Sequence, residues 1–249
     1  MKISIVIPSR FGSTRFPGKP LAKINGKPMV RHVWEAAVKV RGASEVVVAT
    51  DDARIIEAVE SFGGRGMMTS PDHESGTDRI AEVARRLKTD LVVNLQGDEP
   101  MMNPRAIERA FEPFRSRPKT VMSTICTPLE SEADFTSPNV VKVIIDRNGD
   151  AIYFSRAPIP HDRDGLGSFK PRGAAGPFKH IGLYVYRRDF LLEISKLKPS
   201  ELEKTEKLEQ LRVMENGHKI QVVRVRWDST GVDTPGDLKR VEKIMRRKR

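Results

Sequence analysis

Ile3-Ser4-Ile5-Val6-Ile7-Pro8 is an apolar run with no polar face, and it leads directly into Ser9-Arg10-Phe11-Gly12-Ser13-Thr14-Arg15-Phe16-Pro17-Gly18-Lys19-Pro20. A strand without a polar face belongs in a sheet covered on both sides. Working outward, the pattern predicts a glycine-rich basic loop over 9–19, a helix over about 28–40 and a second buried strand over 46–50. Asp52 suits the cap of a helix running to about residue 62, and another helix over about 76–87 leads to the strand Leu91-Val92-Val93-Asn94-Leu95. Pro104 stands where a first helical turn tolerates proline. Buried strands alternating with helices of this length imply an α/β fold, a Rossmann-like, mostly parallel sheet sandwiched by helices. Ligands of such a sheet lie at the carboxyl ends of its strands.

From residue 121 the rhythm changes. Strands are expected over 121–125, 140–145, 151–154 and 181–186, with Asp146-Arg147-Asn148-Gly149-Asp150 as the turn between two of them. Residues 156–177 carry too many Gly, Pro and charged residues for one regular element, so they read as a loop that closes over a site or moves freely. A helix over about 203–215, a strand over 220–225 and a helix over about 235–245 finish the chain. The expectation is one domain, 1–249, with an inserted mixed-sheet lobe at about 121–200.

The chain has 249 residues, of which 38% are hydrophobic and 31% charged, which excludes wholesale disorder, collagen and coiled coil. A net charge of +11 favours anionic partners without separating nucleotides from nucleic acid or anionic lipid. Cys126 is the single cysteine, so no disulfide can form within the chain, and a reducing compartment is the simplest setting. The opening apolar run is too short for a secretory signal, and no run reaches the roughly 18 apolar residues of a spanning helix. A soluble, cytoplasmic protein is expected.

Three loops carry chemistry. In residues 8–20, glycines let the backbone approach a phosphate while Arg10, Arg15 and Lys19 offer donors suited to a triphosphate, although the spacing matches neither the P-loop nor the dinucleotide fingerprint. Asn94-Leu95-Gln96-Gly97-Asp98-Glu99-Pro100 follows an apolar strand and puts Asp98 where a divalent ion would bridge phosphate oxygens. In Ser229-Thr230-Gly231-Val232-Asp233-Thr234-Pro235, Thr234 looks like a helix cap, and Asp233 is either part of that turn or a second carboxylate for the same ion. Asp72-His73-Glu74-Ser75-Gly76-Thr77-Asp78-Arg79 reads as a loop and cap whose small polar groups could read a base edge. His180 opens a strand near Lys179, and the five histidines show no zinc-ligand spacing. Spacings of three and four put Glu203, Glu206 and Gln210 on one helical stripe, either solvated or facing a polyol.

Taken together with Ile7-Pro8-Ser9-Arg10, Asn25-Gly26-Lys27-Pro28-Met29, Ala49-Thr50-Asp51-Asp52, Tyr153-Phe154-Ser155-Arg156, His180-Ile181-Gly182-Leu183-Tyr184 and Leu208-Glu209-Gln210-Leu211-Arg212, these loops make the chain resemble the 3-deoxy-manno-octulosonate cytidylyltransferases, the CMP-Kdo synthetases of lipopolysaccharide biosynthesis. The resemblance spans nearly the full length. It implies transfer of a cytidylyl group from CTP to the anomeric hydroxyl of 3-deoxy-D-manno-octulosonate (Kdo), a 3-deoxy-2-ulosonic acid, with release of pyrophosphate. By the same resemblance, Lys19, Asp98 and Asp233 are catalytic, with Asp98 and Asp233 holding Mg2+. Arg10 and Lys19 contact phosphate, Arg15 belongs to the same loop, and Ser75, Gly76 and Thr77 border the cytosine. Gln96, Arg156, His180, Tyr184, Glu203 and Gln210 surround the sugar acid. A homodimer built through the inserted lobe is implied, with no integral membrane association.

Two departures bear on the substrate. Phe16 stands where the family often has Leu, an apolar exchange that should be tolerated. Residues 163–176 are unusually rich in Gly and basic residues for the sugar side, which leaves a related ulosonic acid such as 8-amino-Kdo as an alternative. A reading from another class is a basic nucleic-acid-binding protein driven by residues 239–249, which hold seven basic residues and one acidic residue. That tail lacks the interleaved aromatics of a single-strand platform, so nucleic acid is not the expected partner.

Overall fold

The computed structural model describes residues 1–12, 15–73, 75–163, 177–227 and 230–247. Of the loop expected over 156–177, residues 164–176, which hold most of the Gly-rich basic stretch 163–176, lie outside the described residues. The chain divides into two units, Met1–Glu108 with Tyr186–Ser195 and Ser229–Arg249, and Arg109–Val185 with Lys196–Asp228.

In the first unit the strand Ile3–Pro8 pairs in parallel with Glu45–Thr50 on one side and Leu91–Leu95 on the other. Arg65–Met68 extends the sheet in parallel beyond Glu45–Thr50. Ile5, Val6, Ile7, Val47, Val48, Val92 and Val93 are inaccessible to solvent, as strands with no polar face require. Helices flank this parallel sheet: Met29–Ala37, Gly76–Arg86 and Arg188–Ile194 pack against its central strands and Ala53–Ser61 against its edge. Asp52 and Ser75 cap two of them, accepting from the amides of Arg54 and Asp78. The last helix, Pro235–Arg247, packs on the hairpin strand Lys23–Ile24. Ile24, Met29, Val232 and Val241 form the buried seam there, with Phe16, Leu238 and Met245 packed on it. The apolar Phe16 side chain thus has an apolar place to go.

In the second unit Met122–Pro128 pairs in parallel with Ile220–Arg224. Lys142–Ile145 pairs antiparallel with both Ala151–Ser155 and the start of Phe178–Arg187, so the sheet here is mixed. The turn between the first two is built as expected: Asp146 Oδ1 accepts from the amides of Asn148 (2.7 Å) and Asp150 (2.9 Å), and Gly149 supplies φ 80°. Cys126 is buried in Met122–Pro128, and burial pushes its thiol up to about 12.

Several elements differ from the sequence expectation, among them the hairpin strands Lys23–Ile24 and Lys27–Pro28 and the short helices Pro113–Ser116 and Glu132–Thr136. Arg65–Met68 is a strand and Arg188–Ile194 a helix where neither was anticipated. The single helix expected over 203–215 is two, Glu201–Glu206 and Gln210–Glu215, because Lys207 takes a left-handed conformation at φ 53°. That conformation costs about 1 kcal/mol for a non-glycine residue. The turn is offset by what it brings together, since Glu203 on the first helix and Arg212 on the second close a bidentate ion pair at 2.6 and 2.7 Å.

Candidate active site

The basic loop leaves the carboxyl end of Ile3–Pro8 and is held by its own backbone. Ser9 N–H donates to Ala49 O (2.8 Å) and Gly18 N–H to Phe11 O (3.0 Å), with Gly18 at φ 68°. A single 3-10 turn, Lys19–Leu21, then turns the Lys19 side chain inward. Its Nζ lies 2.7 Å from Asp98 Oδ2 and 3.4 Å from Asp233 Oδ1. Arg15 Nη2 reaches the same Asp233 oxygen at 3.1 Å. Arg10 is exposed at the start of the loop.

The two carboxylates, far apart in sequence, are brought to one ammonium by close backbone packing. Val232 N–H donates to Asp98 O at 2.9 Å. Gly97 has no room for a side chain, because a Cβ there would stand 2.6 Å from Pro8 O and 2.7 Å from Ser9 Oγ. Gly231 is less confined, since a Cβ there would stand 3.3 Å from the end of the Glu99 side chain. Asp233 is fixed from the other side by Asp237, whose Oδ2 accepts from Asp233 N (3.3 Å), Thr234 N (3.0 Å) and Thr234 Oγ1 (2.8 Å) at the start of the last helix.

The donors gathered here are carboxylate oxygens, the hard ligands that Mg2+ prefers. No group of three or more His, Cys, Asp or Glu able to hold an ion occurs among the described residues. A pair of carboxylates that leaves the remaining positions to water and phosphate oxygens is the usual way a protein holds Mg2+, so the residues present fit that ion.

Ser75, Gly76 and Thr77 form the amino-terminal end of the helix Gly76–Arg86. Ser75 Oγ accepts from Asp78 N (3.1 Å) and donates to Asp78 Oδ2 (2.8 Å), so its hydroxyl serves the cap. A Cβ on Gly76 would contact Pro8 Cγ at 3.9 Å, which puts the helix end beside the root of the basic loop. Gln96 donates from Nε2 to Asn94 Oδ1 (3.1 Å) at the end of Leu91–Leu95.

The other five expected residues belong to the second unit. Arg156 donates to three backbone carbonyls, Glu206 O (2.8 Å), Pro138 O (2.9 Å) and Lys207 O (3.5 Å), which leaves two of its five N–H groups for a ligand. Thr124 Oγ1 donates to Leu183 O (2.7 Å) and so accepts from His180 Nε2–H (2.9 Å). Burial lowers the His180 imidazole to about 3, so it is neutral at pH 7 and acts through hydrogen bonds alone. Its ring lies 5.5 Å from that of Tyr184, whose hydroxyl donates to Gln210 Oε1 at 3.0 Å. Gln210 Nε2 is buried without a hydrogen-bond partner, a donor ready for a ligand. Glu203 differs, because both its carboxylate oxygens are committed to Arg212 and one also takes the Ser200 amide. It holds two helices together, with three of its four acceptor sites used inside the protein.

The sequence reading assigned no role to Lys142 or Asp51, and it placed Glu206 on the stripe that is either solvated or faces a polyol. Glu206 accepts from Ser155 Oγ (2.6 Å) and Arg156 N (2.9 Å), while the fully buried Lys142 ammonium donates to Ser137 O, Val140 O and Arg156 O. Burial lowers the Lys142 ammonium from its ordinary value. No pattern pointed to this lysine, since its partners are backbone carbonyls. Asp51 did carry a signal: it ends a buried strand just as Asp98 does.

Comparison with known proteins identifies the family. The cytidylyltransferase family model matches residues 4–220. The 3-deoxy-manno-octulosonate cytidylyltransferase of Geobacter metallireducens is 55% identical over 251 residues, with 99% of each chain covered. That of Geotalea daltonii is 54% identical over 245 residues, with 97% of each covered. A solved CMP:2-keto-3-deoxy-manno-octonic acid synthetase complexed with CTP superposes at a TM-score of 0.93 with 46% identity, covering 100% of both chains. The 4-diphosphocytidyl-2C-methyl-D-erythritol synthase of Anaerococcus prevotii shares the fold alone, at a TM-score of 0.63 and 12% identity over 98% of each chain. This chain belongs to the 3-deoxy-manno-octulosonate cytidylyltransferase family.

Proposed function

We infer that this chain joins CTP to Kdo, forming CMP-Kdo and pyrophosphate for lipopolysaccharide biosynthesis. The observation that carries the reading is the full-length likeness, at 46% identity, to a synthetase complexed with CTP. The Kdo anomeric oxygen attacks the α-phosphorus, the bond to the β-phosphate oxygen breaks, and pyrophosphate leaves. Charge grows on the transferring and leaving oxygens, so fixed positive groups lower the barrier.

Lys19 is suited to that work, since its ammonium is largely buried and held between two carboxylates. Asp98 and Asp233 would hold Mg2+, which when bound neutralises phosphate charge and polarises the phosphoryl group. Arg10 and Arg15 extend the positive loop toward the triphosphate, and the cap at Ser75, Gly76 and Thr77 would border the base. On the sugar side, the second unit's Arg156 with two spare N–H groups, the Gln210 amide, neutral His180 and Tyr184 would hold hydroxyls and carboxylate. No covalent intermediate on the protein is needed, because orientation and electrostatics account for the chemistry. No helix among the described residues is long and apolar enough to cross a membrane. We place the enzyme in the cytoplasm, where CTP is made, and as a homodimer through the second unit.

The test is Mg2+-dependent pyrophosphate release with CTP and Kdo, with controls that omit the sugar or replace CTP by UTP. Release that needs both CTP and Kdo, with CMP-Kdo as product, supports the reading. Release with 8-amino-Kdo and none with Kdo would move the assignment to that acid.

A further inference from the structure

The carboxylate of Asp51 touches two separate parts of the first unit at once. Its Oδ1 accepts from Phe11 N in the basic loop at 3.3 Å. Its Oδ2 pairs with Arg79 Nη2 at 3.0 Å, on the helix whose first turn holds Ser75, Gly76 and Thr77. Arg79 is only 3% exposed and spends its other nitrogen on Thr69 Oγ1 (2.5 Å) and Ser70 O (3.3 Å). Thr69 is itself tied to Thr50 O through both its hydroxyl and its amide, so the guanidinium has a rigid back wall. Phe11 is gripped from its ring side as well. Arg54 stacks on it at 3.6 Å from the ring centroid, and a Cβ on Gly18 would approach the ring to 3.2 Å.

We propose that the Asp51–Arg79 ion pair is a positioning pair for the nucleotide, setting the distance between the loop that receives the triphosphate and the helix end that receives the base. Neither side chain touches the substrate in this role. The argument rests on the function proposed above, because it takes the loop and the helix end as the two ends of the CTP site. A charged pair at the carboxyl end of Glu45–Thr50 serves this purpose better than apolar packing. The Arg79 fork fixes direction as well as distance, and a buried pair is hard to stretch because either partner left alone would be an uncompensated charge.

The pair has a signature that general stabilisation lacks. A ligand that spans both ends depends on their spacing, whereas a ligand that engages one end does not. Asp51→Asn keeps an acceptor for Phe11 N–H and removes the charge that holds Arg79, and Arg79→Lys keeps the charge and removes the fork. Binding of CTP, cytidine and inorganic triphosphate to the full chain would be measured by calorimetry without sugar, alongside the melting temperature. Either variant should lose roughly tenfold or more in CTP affinity, as expected of misplaced binding groups, while cytidine and triphosphate each change by less than about threefold. Asp51→Asn decides the matter if Arg79→Lys does not fold. An equal loss for all three ligands, or unchanged CTP affinity, overturns the proposal. Failure of the unaltered chain to bind CTP would instead overturn the function on which the proposal rests.

Discussion

Lys19 Nζ stands 2.7 Å from Asp98 Oδ2, and the same ammonium reaches Asp233 at 3.4 Å, so one cation joins three loops that are far apart in sequence. The lysine is mostly buried while Asp98 is one-third exposed, an arrangement that leaves the carboxylate open to a ligand. Asp98→Asn is expected to lower kcat by about two orders of magnitude or more, since it removes charge at the site of phosphoryl transfer. A partly exposed pair contributes about 1 kcal/mol or less to folding, so the melting temperature should barely move. Steady-state assays across a Mg2+ titration check this, and activity unchanged at limiting Mg2+ removes Asp98 from the metal role.

Gly97 gives a steric test of the same junction. A methyl group at this position would meet Pro8 O and Ser9 Oγ at 2.6 and 2.7 Å, far inside contact distance, and the first of these is backbone. Gly97→Ala must push the loop away from Asp98 and should destabilise the fold by about 1–3 kcal/mol. Activity should fall further than stability, because Pro8 and Ser9 lead into the loop that carries Lys19. Urea unfolding and kcat on the same preparation separate the two effects, and a fully active Gly97→Ala enzyme contradicts the packing described.

Glu203 gives the opposite expectation. Its pair with Arg212 is buried on both sides, with side-chain exposures of 10% and 6%, and both oxygens are engaged in that pair. Glu203→Ala should cost about 3–5 kcal/mol by stranding the guanidinium, while the folded fraction keeps its KM for the sugar acid. A selective rise in that KM with unchanged stability would return Glu203 to the sugar site.

These cases show what could be read from the residues. Ile3–Pro8 and Leu91–Leu95 were legible because strands buried on both faces have no polar positions. Arg65–Met68 was not, since Arg65-Gly66-Met67-Met68 has neither alternation nor β-branching, and an edge strand needs little of either. Arg188–Ile194 was hidden because it continues directly from a strand, with no turn residue between them. The break at Lys207 was invisible because lysine is a good helix former, and the pairing of Glu203 with Arg212 that closes across the break is a tertiary contact. In the site, each loop showed its charged and glycine residues locally. The meeting of Asp98 with Asp233 depended on contacts such as Val232 N to Asp98 O that have no local signature.

His180 ties stability to pH. Its imidazole is lowered to about 3 in the folded chain by burial and returns to about 6.5 on unfolding. Above pH 6.5 both states are neutral and the contribution is fully present. Between 6.5 and about 3 the unfolded state takes up a proton that the folded state refuses, so stability falls by up to about 1.4 kcal/mol per pH unit. His180→Gln lacks this proton uptake. Urea unfolding at pH 7, 6, 5 and 4 should therefore show the wild-type protein losing stability faster than the variant on acidification, with the gap opening below pH 6.5. Parallel curves would mean that the histidine charges in the folded state, and its neutral hydrogen bond to Thr124 would have to be abandoned.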